Sequence, residues 1–203
     1  MNKKVFYLGR GNDEKLMTHV AKSLKGEQVV LLPTDTVYGL SADYYCVEAR
    51  QRIIEIKKRP AHKGFIVLVA DVPSLLDLAD QKIQQAILEQ LPAPLTLIVK
   101  NKDRKRYGEE TLALRIPMDS WLNQVLIRLK APIISTSANI SGEPMAKSRD
   151  ELVHFFDGMV DFIVLKRNYE GQAPSTILDI SSEPYKILRQ GAFHVSESML
   201  NQL

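Results

Sequence analysis

Ser135, Thr136, Ser137 and Asn139 follow the apolar run Ile133–Ile134 directly, so a stretch that should be core ends in a row of hydroxyl and amide groups. Thr34, Asp35 and Thr36 follow a second apolar run in the same way. A turn needs few such side chains. In open α/β sheets, ligands bind beyond the carboxyl ends of strands, so two polar exits in one chain suggest two walls of one site. Asp35 reads at this level as a turn or capping residue.

Cations supply the other half of the inventory. Lys57, Arg59 and Lys63 crowd the end of a helical stretch in IEIKKRPAHKG. They could simply complement a helix C-terminus. Yet the residue before Pro60 is pushed out of helical geometry, which lets Lys57 and Arg59 project to one side. Arg115 sits among apolar neighbours in LALRIP, where burial would be costly without an anion. Either it faces outward, or it takes a carboxylate. Ser175 and Thr176 open a strand in APSTILDI, and Arg189 ends one in ILRQGAF.

Several chemistries lack their signatures. There is no G-x-x-x-x-G-K-[ST], no G-x-G-x-x-G and no H-E-x-x-H, and Ser135 and Ser137 do not sit in a G-x-S-x-G elbow. The four histidines are scattered and there is a single cysteine, Cys46, so no metal-ligand spacing emerges. Hydroxyls and cations without a nucleophile or general base suit an enzyme that positions anionic substrates and neutralises developing charge. Phosphoryl and nucleotidyl transfer need that.

The elements that must position these groups alternate. Strands are predicted at 28–33, 64–69, 95–100, 111–116, 132–135, 162–165, 175–179 and 185–188, and helices at 13–25, 47–58, 73–78, 82–91, 120–129 and 149–156. The last helix opens with a capping box, Ser148 and Glu151. The order argues for one α/β domain over residues 1–203, with some antiparallel pairing. At 203 residues with 45% hydrophobic and 25% charged content, one sizeable core is expected. No apolar stretch approaches a membrane span, the N-terminus lacks a signal peptide, and one cysteine fits a reducing cytoplasm. Net charge is only +3, concentrated in two clusters: Lys57, Lys58, Arg59, His62 and Lys63, then Lys100, Lys102, Arg104, Lys105 and Arg106.

In their order and spacing, LLPTDTVYGL, the K-x-R of Lys57 and Arg59, LPAPLTLIV, LALRIP, the S-x-N of Ser137 and Asn139, APSTILDI and ILRQGAF resemble the YrdC-like family of threonylcarbamoyl-AMP synthases, in its short single-domain bacterial form. The resemblance implies a twisted mixed α/β sheet flanked by helices around a deep, positively charged cavity. It implies a nucleotidyltransferase joining L-threonine, bicarbonate and ATP into L-threonylcarbamoyladenylate and pyrophosphate, toward tRNA threonylcarbamoyladenosine. Threonine would contact Thr36, Arg115, Ser135 and Ser175. ATP would contact Lys57, Arg59, Lys63, Thr111, Ser137, Asn139 and Arg189, with magnesium held mainly by its phosphates. Lys57 and Arg59 would stabilise charge on the transferring phosphoryl group. Contact with tRNA, and hand-off of the product to the tRNA threonylcarbamoyltransferase machinery, are possible partners by the same resemblance. Ala93 and Ser41 depart from the family pattern, which usually has glycine at the first and often at the second.

A rival reading is an RNA-binding module that keeps the cavity and makes no adenylate, resting on the two basic clusters. Against it, no aromatic residue is expected beside those cations to stack on bases.

Overall fold

The computed structural model describes residues 5–9, 11–60, 63–166, 173–196 and 199–200. Among them the chain runs β1 (Val5–Tyr7), α1 (Asp13–Leu24), β2 (Val30–Leu32), β3 (Gly39–Asp43), α2 (Val47–Lys57), β4 (Ile66–Leu68), α3 (Val72–Leu78) and α4 (Gln85–Leu88). It continues through β5 (Leu95–Lys100), β6 (Thr111–Arg115), α5 (Ser120–Leu129), β7 (Ile133–Ser137), α6 (Arg149–Phe156), β8 (Phe162–Leu165), β9 (Thr176–Asp179) and β10 (Lys186–Arg189). All ten strands join one mixed sheet in the order β1-β8-β2-β3-β7-β4-β6-β5-β9-β10.

Alternation along each strand divides the sheet into two faces. One face carries Leu31, Ile134, Val67, Leu114, Leu97 and Leu178, packed on residues of α2, α3, α4 and α6 such as Ile53, Leu75, Ile87 and Phe156. The opposite face carries Val30, Leu32, Ile133, Phe162 and Val164 under α1 and α5. Those two helices cover only part of it. Further along the same face, Ser135, Ile66, Ala113, Ile98 and Ile177 line a cavity of about 540 Å³.

Several predicted elements needed correction. β3 and β1 were not expected. GLSAD has no β-branched residue, and its alternation of Gly39, Ser41 and Asp43 against Leu40 and Ala42 is too short of apolar bulk to read as a strand. β7 runs two residues beyond its predicted end, so Ser137 belongs to the strand and shares a face with Ser135. The helix predicted at 82–91 shrinks to α4, because Gln84 is extended (φ −61°, ψ 138°). The capping residue of α6 is as predicted: Ser148 Oγ accepts from Glu151 N at 3.2 Å. Ala93 is not among the residues of positive φ and is buried, so the turn there has no need of glycine.

Candidate functional site

β2 and β7 lie on either side of β3, antiparallel to it, so both run the same way and leave the sheet at one end. Thr34 and Thr36, just past β2, and Ser135 and Ser137 in β7 all line the cavity. The two polar exits thus line one cavity, whose floor is the uncovered sheet face rather than the space beyond the strand ends.

Gly39 makes room for the first of these hydroxyls. It is paired with Ser137, and a Cβ on it would stand 2.4 Å from Ser135 Oγ. Two residues along the same face, Ser41 Oγ donates to Ser135 Oγ at 3.1 Å, both residues being buried. With one acceptor position so filled, the Ser135 proton is free to point at a ligand. The serine that departs from the family pattern therefore orients a site hydroxyl.

Arg115 ends β6, and its side chain is 4% exposed. The outward-facing alternative does not hold. Its Nη1 donates to Thr36 Oγ1 at 2.7 Å, and its Nη2 lies 2.6 Å from Asp35 Oδ2. That contact is an ion pair without hydrogen-bond alignment, and Arg115 Nε is buried with no partner. Asp35 is thus the counter-ion of Arg115 and not merely a turn residue; the clue was a carboxylate flanked by two threonines. Across β5, buried Ser175 Oγ bonds Thr96 Oγ1 at 2.8 Å. Arg189 donates from Nε to Ser175 O at 2.9 Å and from Nη2 to Ser175 Oγ at 3.1 Å. Burial and the neighbouring Arg115 lower the pKa of Arg189. Gly191 permits this closeness, since a Cβ there would sit 2.2 Å from Pro174 O.

At the other end of β6, Thr111 and Glu109 line the cavity with Arg59 and Phe65. Thr111 and Arg115 are about 13 Å apart along the strand. Arg59 reaches the cavity because α2 ends on Lys58 in the left-handed region (φ 48°), at a cost of about 1 kcal/mol. Lys58 N donates to Glu55 O and Arg59 N to Ile54 O, the paired closure of a Schellman cap. The reversal thus comes one residue before the pre-proline position. Arg59 Nη2 donates to Gly64 O at 2.6 Å. Its guanidinium lies 5.2 Å from the Phe65 ring centroid, and Arg50 lies 4.8 Å from the same ring. Arg50 also pairs with Glu109 at 2.6 Å. Burial, with Arg50 close by, lowers the pKa of Arg59.

Lys57 goes elsewhere. It is 1% exposed and absent from the cavity lining. Its Nζ donates to Ser137 O, to Asn139 O at 2.6 Å and to Asn139 Oδ1 at 3.2 Å. Burial and the charge of Arg59 pull its pKa down to about 8. Asn139 is likewise turned inward: its Oδ1 accepts from Ser137 Oγ at 2.6 Å and its Nδ2 donates to Glu143 O at 2.7 Å. Thr36, Arg59, Thr111, Arg115, Ser135, Ser137, Ser175 and Arg189 are therefore brought together around one cavity, while Lys57, Lys63 and Asn139 are not in its lining. Lys63 is exposed, and His62 lies outside the described residues. Arg189, expected on the nucleotide side, is bonded to Ser175. Thr96, Gly39 and Phe65 were not singled out, because their roles depend on strand neighbours far away in sequence.

The basic stretch 100–106 is partly neutralised from within. Arg104 pairs with Asp80 at 3.1 Å and Glu110 at 3.5 Å, and Arg106 with Asp103 at 3.2 Å. The expectation of no aromatic residue beside the basic clusters is overturned: Arg106 stacks on Tyr45 at 4.7 Å, and Arg59 on Phe65. Tyr107, just past the stretch, lies under Arg50 at 4.3 Å. These ring contacts are with the protein's own arginines.

Residues 22–191 match the Sua5/YciO/YrdC family, described as "Telomere recombination". The chain is 35% identical over 189 residues to the threonylcarbamoyl-AMP synthase of Bacillus subtilis (strain 168), covering 89% of this chain and 54% of that protein. It matches the crystal structure of P. abyssi Sua5 complexed with L-threonine at a TM-score of 0.83 and 29% identity, over 92% of this chain and 57% of that one. E. coli YciO matches at a TM-score of 0.79 and 23% identity, over 93% of this chain and 96% of that one, which shows the shared fold. The chain thus spans about half the length of the synthase and of the Sua5 chain.

Proposed function

The chain belongs to the Sua5/YciO/YrdC family, and we propose that it is an L-threonylcarbamoyladenylate synthase, making threonylcarbamoyl-AMP and pyrophosphate from L-threonine, bicarbonate and ATP. The observation that carries this reading is Arg115. A guanidinium buried on the cavity face, with Nε unpartnered and Thr36 and Ser135 beside the same cavity, is built to take a carboxylate. The 35% identity to a synthase and the fit to a threonine-bound Sua5 support the same substrate.

Threonine's carboxylate would lie on Arg115, Thr36 and Ser135, with Ser175 at its side. The triphosphate would lie toward Arg59, Thr111 and Ser137. Arg189, held by Ser175, would stand where the carbamate formed on threonine's nitrogen meets the α-phosphate. The carbamate oxygen attacks phosphorus and pyrophosphate leaves, so no covalent serine is needed. Arg59 would offset charge on the transferring phosphoryl group. Three arginines against one glutamate in the lining favour anions. Among the described residues no group of three or more His, Cys, Asp or Glu could hold a metal, so magnesium would enter on the ATP phosphates. The mixed anhydride would then pass to the machinery that modifies tRNA. No helix among the described residues is long and apolar enough to cross a membrane, in keeping with a cytoplasmic tRNA-modifying role.

Incubation with ATP, magnesium, L-threonine and bicarbonate should release pyrophosphate only when all are present. Release without threonine would replace the acceptor, and no release by ATP-binding protein would defeat the synthase reading.

A further inference from the structure

The two short motifs of this site divide in an unexpected way. Each contributes one residue to the cavity, Arg59 and Ser137. The remaining two, Lys57 and Asn139, bind each other behind it.

An ammonium has three protons to donate. At Lys57 three acceptors take them: Ser137 O, Asn139 O and Asn139 Oδ1. The Lys57 carbonyl also accepts from Ser141 N at 2.9 Å. The segment 137–141 is therefore held to the end of α2 by both the head group and the backbone of one residue. Three oxygens crowded together would repel one another without a cation between them, and leaving them buried and unpaired is costly. The same arrangement fixes Asn139 Oδ1, which in turn receives the Ser137 hydroxyl.

Building on the synthase reading, we propose that Lys57 is a positioning residue: its saturated ammonium clamps the 137–141 segment through Asn139, setting Ser137 toward the nucleotide, while Arg59 supplies the charge that meets phosphate. Lys57 makes no phosphate contact of its own.

Amide hydrogen exchange of the ligand-free protein tests this without any turnover. Lys57→Met should speed exchange at the Asn139 and Ser141 amides by about tenfold or more, while Arg59→Met leaves those two rates within about twofold. If Lys57→Met leaves them unchanged and yet weakens ATP, Lys57 touches phosphate directly and the clamp is wrong. Should Lys57→Met fail to fold, the wild-type lysine itself decides. Followed by NMR at its Cε, the Lys57 titration midpoint should move by less than about 0.5 on ATP addition. A rise of more than about 1, as a bound phosphate would cause, overturns the proposal. Loss of the synthase reading would appear separately, as absent pyrophosphate release by wild type, and would leave the exchange result standing.

Discussion

Arg115 and Thr36 meet through a 2.7 Å hydrogen bond that joins the end of β6 to the loop after β2, 79 residues earlier in the chain. Asp35, next to that threonine, provides the countercharge at 2.6 Å. Arg115→Lys keeps the charge and loses the planar fork. Losing one or two charge-assisted hydrogen bonds should raise the KM for threonine about 10- to 100-fold, with a smaller change for ATP. Arg115→Ala leaves Asp35 buried and alone, and should cost about 3–5 kcal/mol of stability in denaturant titrations. A KM for threonine unmoved by Arg115→Lys would remove this residue from the carboxylate site.

Gly39 faces Ser135 so closely that the pair can be tested as a unit. Gly39→Ala puts a methyl group 2.4 Å from Ser135 Oγ and should destabilise by about 1–3 kcal/mol. Combining it with Ser135→Ala removes the colliding oxygen, so thermal stability should return while threonine affinity does not. Additive losses in the double variant would mean the clash lies elsewhere.

Phe65 lies within cation–π distance of two guanidiniums, Arg59 and Arg50. Phe65→Leu should remove both cation–π contacts and let Arg59 wander. A loss of about fivefold to tenfold in kcat/KM for ATP is expected, with the threonine KM nearly constant. Equal losses for both substrates would argue for general damage to the cavity.

Lys57 offers a pH signature. Its ammonium should be half deprotonated near pH 8; since ATP moves that midpoint by less than about 0.5, ATP affinity should change by no more than about threefold as pH rises through it, and Lys57→Arg should leave the profile as flat. Stability, by contrast, should depend on pH. The unfolded chain holds the proton up to the ordinary 10.5, so unfolding takes up a proton between about 8 and 10.5, and this group's contribution to stability rises with pH across that window. A loss of ATP affinity of more than about tenfold between pH 7 and 9 that Lys57→Arg abolishes would contradict the assignment.

Much of this site could be read before folding. LPTDT and STS are runs of hydroxyls after apolar segments and the 57–63 cations stand out as a cluster, while K-x-R and S-x-N are picked out by resemblance to the family. What could not be read was which way each side chain turns. Lys57 and Arg59 look equivalent in sequence; a left-handed Lys58 sends one into the core and the other into the cavity. Asp35 looks like a turn residue until Arg115 arrives from another strand. β3 escaped notice because the feature that makes it valuable, small side chains on one face, is what weakens a strand signal. α5 and β5, with strong periodic patterns, were placed to the residue.

The partly covered sheet has a consequence for how the protein melts. α1 and α5 shelter one stretch of that face; the rest is left open as the cavity, where serines, threonines and arginines stand among the isoleucines that an ordinary three-layer domain would cover with a helix. Substrates, in effect, are the missing layer. A ligand that binds only the folded chain at a hundred times its Kd adds about 2.7 kcal/mol, a sizeable share of a typical domain's total stability. The protein completes its own architecture only while it is at work.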